Sequence, residues 1–241
     1  MNVMTEQKTL AVDQIQAFYH DEFVEDQVRD FGTLVPAGAA RGVVVDVGGG
    51  CGFFARALHD RLDLLTRVID MDPGSIDACG RNGVEGRLGD ALAPQIEGDE
   101  GIACFNLILH HLVGPNERAT RALQVRALKA WHGRVPAVFV NEYIYQSFVG
   151  RISPRLIFEI TSSRLLSAIG NLVSRIVPSF KANTFGVGVR FRSHEEWREL
   201  FAEAGYKVAD VTIGKDERIA PPLRLMLIKA IRRDSYRLEP V

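Results

Sequence analysis

Apolar and polar positions along the chain switch repeatedly between two rhythms. Residues 12–34 carry Ile15, Phe18, Tyr19, Phe23 and Val28 at roughly helical spacing, which predicts an amphipathic helix broken by Pro36-Ala-Gly38. Gly42-Val-Val-Val-Asp46 then forms an unbroken apolar run, the pattern of a strand buried on both faces. Helix is predicted for Phe53–Leu64, strand for Arg67–Asp70, helix around Ser75–Asn82, and a strand ending at Gly89-Asp90. Ile102–Phe105 reads as a fourth strand, Glu117–Trp131 as a long helix and Ala137–Tyr143 as a fifth strand. Strands alternating with helices predict an α/β fold, doubly wound, with helices on both faces of a mostly parallel sheet.

Residues 146–192 interrupt that alternation. From Ile152 onward they read as helices, with Leu165, Ile169, Leu172 and Ile176 on one face and Arg164, Ser167, Asn171 and Arg175 on the other. Ser193-His-Glu-Glu196 has the form of a capping box opening a helix, and Gly205 is placed to end it. Two closing strands are predicted, Lys207–Ile213 and Leu223–Lys229, joined by a polar loop holding Pro221-Pro222. They complete a seven-stranded sheet.

Composition narrows the function. Of 241 residues, 46% are hydrophobic and 24% charged, an ordinary globular balance. The formal net charge is −1, from 29 basic and 30 acidic residues, and gives no support for gripping a nucleic acid by its phosphates. Cys51, Cys79 and Cys104 have neither metal-site spacing nor the even number of a disulfide framework, so no metal is expected. The N-terminus lacks the basic and apolar regions of a secretory leader, and no uncharged apolar run reaches the ~18 residues of a membrane span. A soluble, cytoplasmic protein is expected, in an oligomeric state the sequence leaves open.

The strongest motif is Asp46-Val-Gly48-Gly-Gly50-Cys-Gly52, where a buried strand turns through glycines into a helix. Glycine admits positive φ and lets a ligand approach the main chain, and a helix N-terminus offers unpaired N–H groups. Such a turn suits a nucleotide-like cofactor. Gly50-Cys-Gly52-Phe-Phe-Ala55 also fits a dinucleotide fingerprint. However, a carboxylate at Asp46 repels a pyrophosphate and attracts a ligand carrying an ammonium and a sulfonium.

With that charge the motif resembles the first motif, [D/E]-x-G-x-G-x-G, of the class I methyltransferases that use S-adenosylmethionine (SAM). Val68-Ile-Asp70-Met71-Asp72-Pro73 resembles the second motif, and the resemblance implies that Asp70 meets the ribose hydroxyls, with Met71 beside the cofactor. Asp72 before Pro73 is explained equally well as a helix N-cap. Gly89-Asp90-Ala91 resembles the third motif, which implies that Asp90 and Ala91 lie by the adenine. Asn106-Leu-Ile-Leu-His110-His111-Leu112 resembles a segment that crosses from strand to helix at the methyl donor and adds Asn106 to the cofactor site. The resemblance thus divides the chain into an N-terminal helix and SAM-binding core (1–145), a helical cap over the acceptor site (146–192), and the last helix and closing strands (193–241). Two departures stand out. Trp131-His-Gly-Arg-Val-Pro136 replaces the usual Pro-Gly-Gly turn, and the fourth strand lacks its frequent acid.

Methyl transfer to a hydroxyl needs a proton acceptor, so His111 and His110 are the catalytic candidates, with His111 first; both can equally be structural. Glu142 and Tyr143 are further candidates by position, as are Tyr19 and His20 over the cofactor. Arg190 and Arg192 read as exposed loop charges or as contacts for an acidic acceptor. The apolar cap suggests a small, partly apolar acceptor. Arg151, Arg155, Arg164 and Arg175 also admit a membrane-surface helix, but they form no single dense basic face. The competing functions are an RNA or protein methyltransferase and a SAM- or NAD-binding module without catalysis.

Overall fold

The apolar run after Gly42 forms β1 (Val43–Val47), buried at every position. A computed structural model describes residues 24–36, 38, 41–163, 188–219 and 221–241. Within them the chain order is α1 (Val24–Leu34), β1, α2 (Phe53–Leu62), β2 (Thr66–Asp70), α3 (Pro73–Arg81), β3 (Glu85–Leu88) and β4 (Glu100–Asn106). A 3₁₀ turn (Leu109–His111), α4 (Glu117–Lys129), β5 (Ala137–Ser147), α5 (Ile152–Ser162), α6 (His194–Glu203), β6 (Tyr206–Thr212), α7 (Pro221–Leu225) and β7 (Ile228–Pro240) follow.

The seven strands make one sheet in the order β3-β2-β1-β4-β5-β7-β6. Strands β1 to β5 run parallel, and β7 is antiparallel to both of its neighbours. Alternation along the central strands serves two cores. Val43, Val45, Val47, Ala103 and Phe105 face one with Trp131, Trp197 and Tyr236; Val44, Ile102, Cys104 and Phe139 face the other with Phe31 of α1 and Phe54 of α2. The expected helix starts are present. Asp72 caps α3, accepting the Ser75 N–H at 2.7 Å with Pro73 in the first turn, and both bonds of the Ser193/Glu196 capping box form.

The C-terminus departs from expectation. Leu223–Lys229 is not a strand: Pro221–Leu225 is a short helix, consistent with proline's fitness for a helix's first turn. The last strand is instead Ile228–Pro240, 13 residues long. Its charged residues hide it from a hydrophobicity pattern because their partners are tertiary. Buried Asp234 accepts bonds from Arg232, His194 and the Gly214 N–H, while Ser235 bridges Asn141 and Asp30. Pairing with β7 also extends β5 to Ser147, beyond its expected end at Tyr143. That extension raises a wall past the end of β4.

The predicted 12–34 helix is seen from Val24 onward; residues 12–23, with Tyr19 and His20, lie outside the described part, as does the expected apolar stripe from Leu165 to Ile176. Among the described residues no helix is long and apolar enough to cross a membrane, and no group of three or more His, Cys, Asp or Glu could hold a metal ion. The three cysteines are free and buried.

Candidate functional site

The turn after β1 needs its glycines for different reasons. Gly48 has φ 70°, and a Cβ there would lie 2.5 Å from Ile108 Cγ1. A Cβ on Gly49 would lie 2.3 Å from Asp46 Oδ2, so the protein's own packing fixes both positions. Gly50, with φ 54°, differs: nothing lies within 4 Å of its missing Cβ, so its open side faces space where a ligand can approach. Gly52, with φ 79°, opens α2 without a side-chain cap.

Two carboxylates flank this turn. Asp46 is buried, and neither of its oxygens has a hydrogen-bond partner among the described residues. Burial, reinforced by nearby Asp70, pushes it up to about 8. Asp70 ends β2 and accepts the Gly50 N–H and the Asp72 N–H, each at 2.9 Å. Burial raises it as well, against the pull of those two N–H groups. An unpaired buried carboxylate costs several kcal/mol unless it stays protonated or meets a cation.

The remaining predicted cofactor residues sit around this pair. Met71 is half-exposed beside Asp70. The Gly89 N–H donates to the Asp70 carbonyl at 2.9 Å, which brings the Asp90-Ala91 turn next to β2. Asp90 is exposed and uses Oδ1 to hold the Leu92 N–H at 2.8 Å. Asn106, at the end of β4, donates to Gln27 of α1 at 3.0 Å. The sheet edge thus gathers Asp46, the glycines, Asp70, Met71 and Asn106, with Asp90 and Ala91 at its flank.

Beyond Asn106 the backbone is strained. Leu107 has φ 57°, a left-handed conformation costly for a leucine, and its N–H donates to the Asn141 carbonyl at 2.9 Å. The chain then tightens into the 3₁₀ turn. Buried Glu142 receives it: Oε1 accepts the Leu109 N–H at 2.7 Å and the His110 N–H at 3.3 Å, while Oε2 lies 2.7 Å from His110 Nδ1. A carboxylate used as an acceptor keeps the proton on Nδ1, which leaves the lone pair on Nε2. The His111 ring lies 4.1 Å from that of His110, and burial with that neighbour lowers His111 well below the usual histidine range. Tyr143 and Phe191 close around His110, with ring centroids 5.8 and 5.0 Å away.

Arg190 and Arg192 are not exposed loop charges. Both are fully buried, on the segment that returns to the core. The Arg190 guanidinium binds Glu117 at 2.5 Å and Glu196 at 2.8 Å, and its backbone N–H donates to the His110 carbonyl at 2.9 Å. Arg192 binds Glu117 at 2.9 Å and donates twice to the side-chain oxygen of Gln124, whose NH₂ donates in turn to the Leu109 carbonyl. Desolvation, with Arg190 alongside, lowers Arg192 to about 10. With each charge matched, the network buries two arginines and pins the histidine turn from behind. Removing one partner strands the others, so Arg190→Met is expected to cost about 3–5 kcal/mol in urea unfolding. An unchanged midpoint would mean that the network contributes no stability.

No protein-family profile matches the chain, and no curated protein matches it in sequence. Solved structures do match in fold. An O-methyltransferase from neocarzinostatin biosynthesis, in complex with S-adenosyl-L-homocysteine and 1,4-dihydroxy-2-naphthoic acid, superposes with TM-score 0.50 at 18% identity, over 90% of this chain and 56% of that one. A SAM-dependent methyltransferase from Thermotoga maritima, described as a possible histamine N-methyltransferase, gives 0.53 at 15% identity, over 90% of this chain and 88% of that one. The chain has the class I SAM-dependent methyltransferase fold. A protein described as a pericyclic reaction enzyme shares this methyltransferase fold, with TM-score 0.51 at 14% identity, over 90% of this chain and 47% of that one. The chain spans about half the length of the first and third of these neighbours. The methyltransferase fold therefore does not by itself decide the reaction.

Proposed function

We propose that the protein binds SAM and methylates a small, partly apolar acceptor, with His110 as the proton acceptor. The observation that carries this reading is Asp46, a buried carboxylate packed against Gly49 of the glycine turn, with no hydrogen-bond partner among the described residues. The ammonium and sulfonium of SAM would favour the ionised form of Asp46, whereas an NAD pyrophosphate would be repelled by it. Asp46 and the glycine turn would hold the methionine end, Asp70 the ribose, and Met71, Asp90 and Ala91 the adenine side, with Asn106 at the edge. When bound, SAM supplies an electrophilic methyl group.

Among the chain's own residues, Glu142 fixes the His110 tautomer and so presents Nε2 as the basic atom, which puts His110 ahead of His111 as the base. His111, held well below the usual range, is a weaker base and a neutral neighbour. The partly exposed rings of Tyr143, Tyr145 and Phe191 offer an apolar wall beside the dyad, suited to an aromatic or otherwise apolar acceptor. The region 146–192 is the proposed acceptor cap.

Calorimetric titration with SAM, S-adenosylhomocysteine and NAD tests the cofactor. Micromolar binding of the first two and none of NAD is expected, weakened at least tenfold in both Asp46→Ala and Asp70→Ala. Tight NAD binding, or SAM binding indifferent to both substitutions, would overturn the assignment.

A further inference from the structure

Six exposed large apolar side chains lie on two adjoining segments. Phe148 (64% exposed), Val149, Ile152 and Leu156 lie on the segment leaving β5 and on the outer face of α5; Leu225 (84% exposed) and Leu227 lie on α7 and the turn into β7. The Phe148 N–H donates to the Leu227 carbonyl at 2.9 Å, so the two segments adjoin. Helix α5 already buries Pro154, Ile157 and Phe158 inward, while its second apolar stripe, Ile152 and Leu156, is exposed among the described residues. Contiguous exposed apolar surface of this kind marks an interaction site.

The charges within these two segments share one sign. Residues 148–156 and 223–229 contain Arg151, Arg155, Arg224 and Lys229 and no acid, in a chain whose net charge is −1. Arg151 is bound to Glu199, but Arg155, Arg224 and Lys229 are exposed and form no ion pair with a described residue. Glu159, one turn further along α5, is the acidic group on that face. Apolar side chains that penetrate, framed by cations, match an anionic lipid surface. The sequence of 146–192 alone lacks this pattern, because half of it comes from α7 and the turn into β7.

We propose that this face docks on anionic membrane surface. It flanks the outer end of the β5 wall, so docking would bring the Tyr143, Tyr145 and Phe191 side of the molecule close to lipid-dissolved apolar compounds. The docking stands independently of the methyl-transfer reading. Co-sedimentation of the full chain with phosphatidylcholine vesicles, with and without phosphatidylglycerol, tests it, alongside sedimentation velocity of the protein alone. Binding to the phosphatidylglycerol vesicles is expected, weakened at least tenfold by Phe148→Ser with Leu225→Ser. Arg224→Gln with Lys229→Gln should weaken it about fivefold per charge removed. All four residues are exposed or at the surface turn, so the variants should keep the wild-type melting temperature. Failure to bind, binding indifferent to both double variants, or a dimer that the Phe148/Leu225 variant dissociates would overturn the proposal, the last by making a second copy the occupant.

Discussion

Between pH 4 and pH 8 the ligand-free protein is expected to lose stability as the pH rises, and Asp46→Asn is expected to remove most of that loss. The sign follows from linkage. Asp46 titrates near 3.8 when unfolded and near 8 when folded, so across that window the folded state holds a proton that the unfolded state has released. Stability falls with pH wherever the unfolded state binds fewer protons. The full contribution is present below pH 4, and its loss reaches on the order of 5 kcal/mol by pH 8. Other groups titrate too, so the quantity to measure is the difference between wild type and Asp46→Asn in urea unfolding at each pH. Parallel curves would mean that Asp46 is ionised and solvated in the folded protein. The same linkage makes SAM affinity rise towards tenfold per pH unit up to about pH 8, because a cationic ligand demands the charged carboxylate.

What the sequence made legible followed short-range rules. The glycine turn, the Asp72 and Ser193 caps and strands β1 to β5 depend on contiguous residues whose periodicity or spacing carries the signal. What it concealed depends on residues far apart in the chain. β7 looked polar because Asp234 and Ser235 satisfy their buried polar groups through His194 and Asp30. Arg190 and Arg192 looked exposed because their partners lie on α4 and at the start of α6. Glu142 was recognisable by its place near the expected end of the fifth strand. Its bond to His110 required the turn through Leu107, a left-handed leucine that no propensity predicts. The ranking of the two histidines therefore could not be read from adjacent letters.

That ranking gives the second large effect. His110→Ala should lower turnover by a factor of about 10² to 10⁴, the range associated with losing a positioned base, while SAM affinity stays within a few-fold of wild type. Formation of S-adenosylhomocysteine with a panel of hydroxylated aromatic acceptors, chosen to suit the Tyr143, Tyr145 and Phe191 wall, is the readout. Glu142→Gln should also slow turnover, by roughly tenfold or more, because an amide can present its NH₂ to Nδ1 and release the tautomer that keeps Nε2 basic. His111→Ala should cost less than either, since that ring stands outside the proposed proton path through His110. The reverse order, with His111 essential and His110 dispensable, would move the base to His111 and leave the Glu142 pair a structural clamp. Full turnover in both histidine variants would mean that the base lies elsewhere or is unnecessary, and in the second case positioning would be the protein's main contribution to rate.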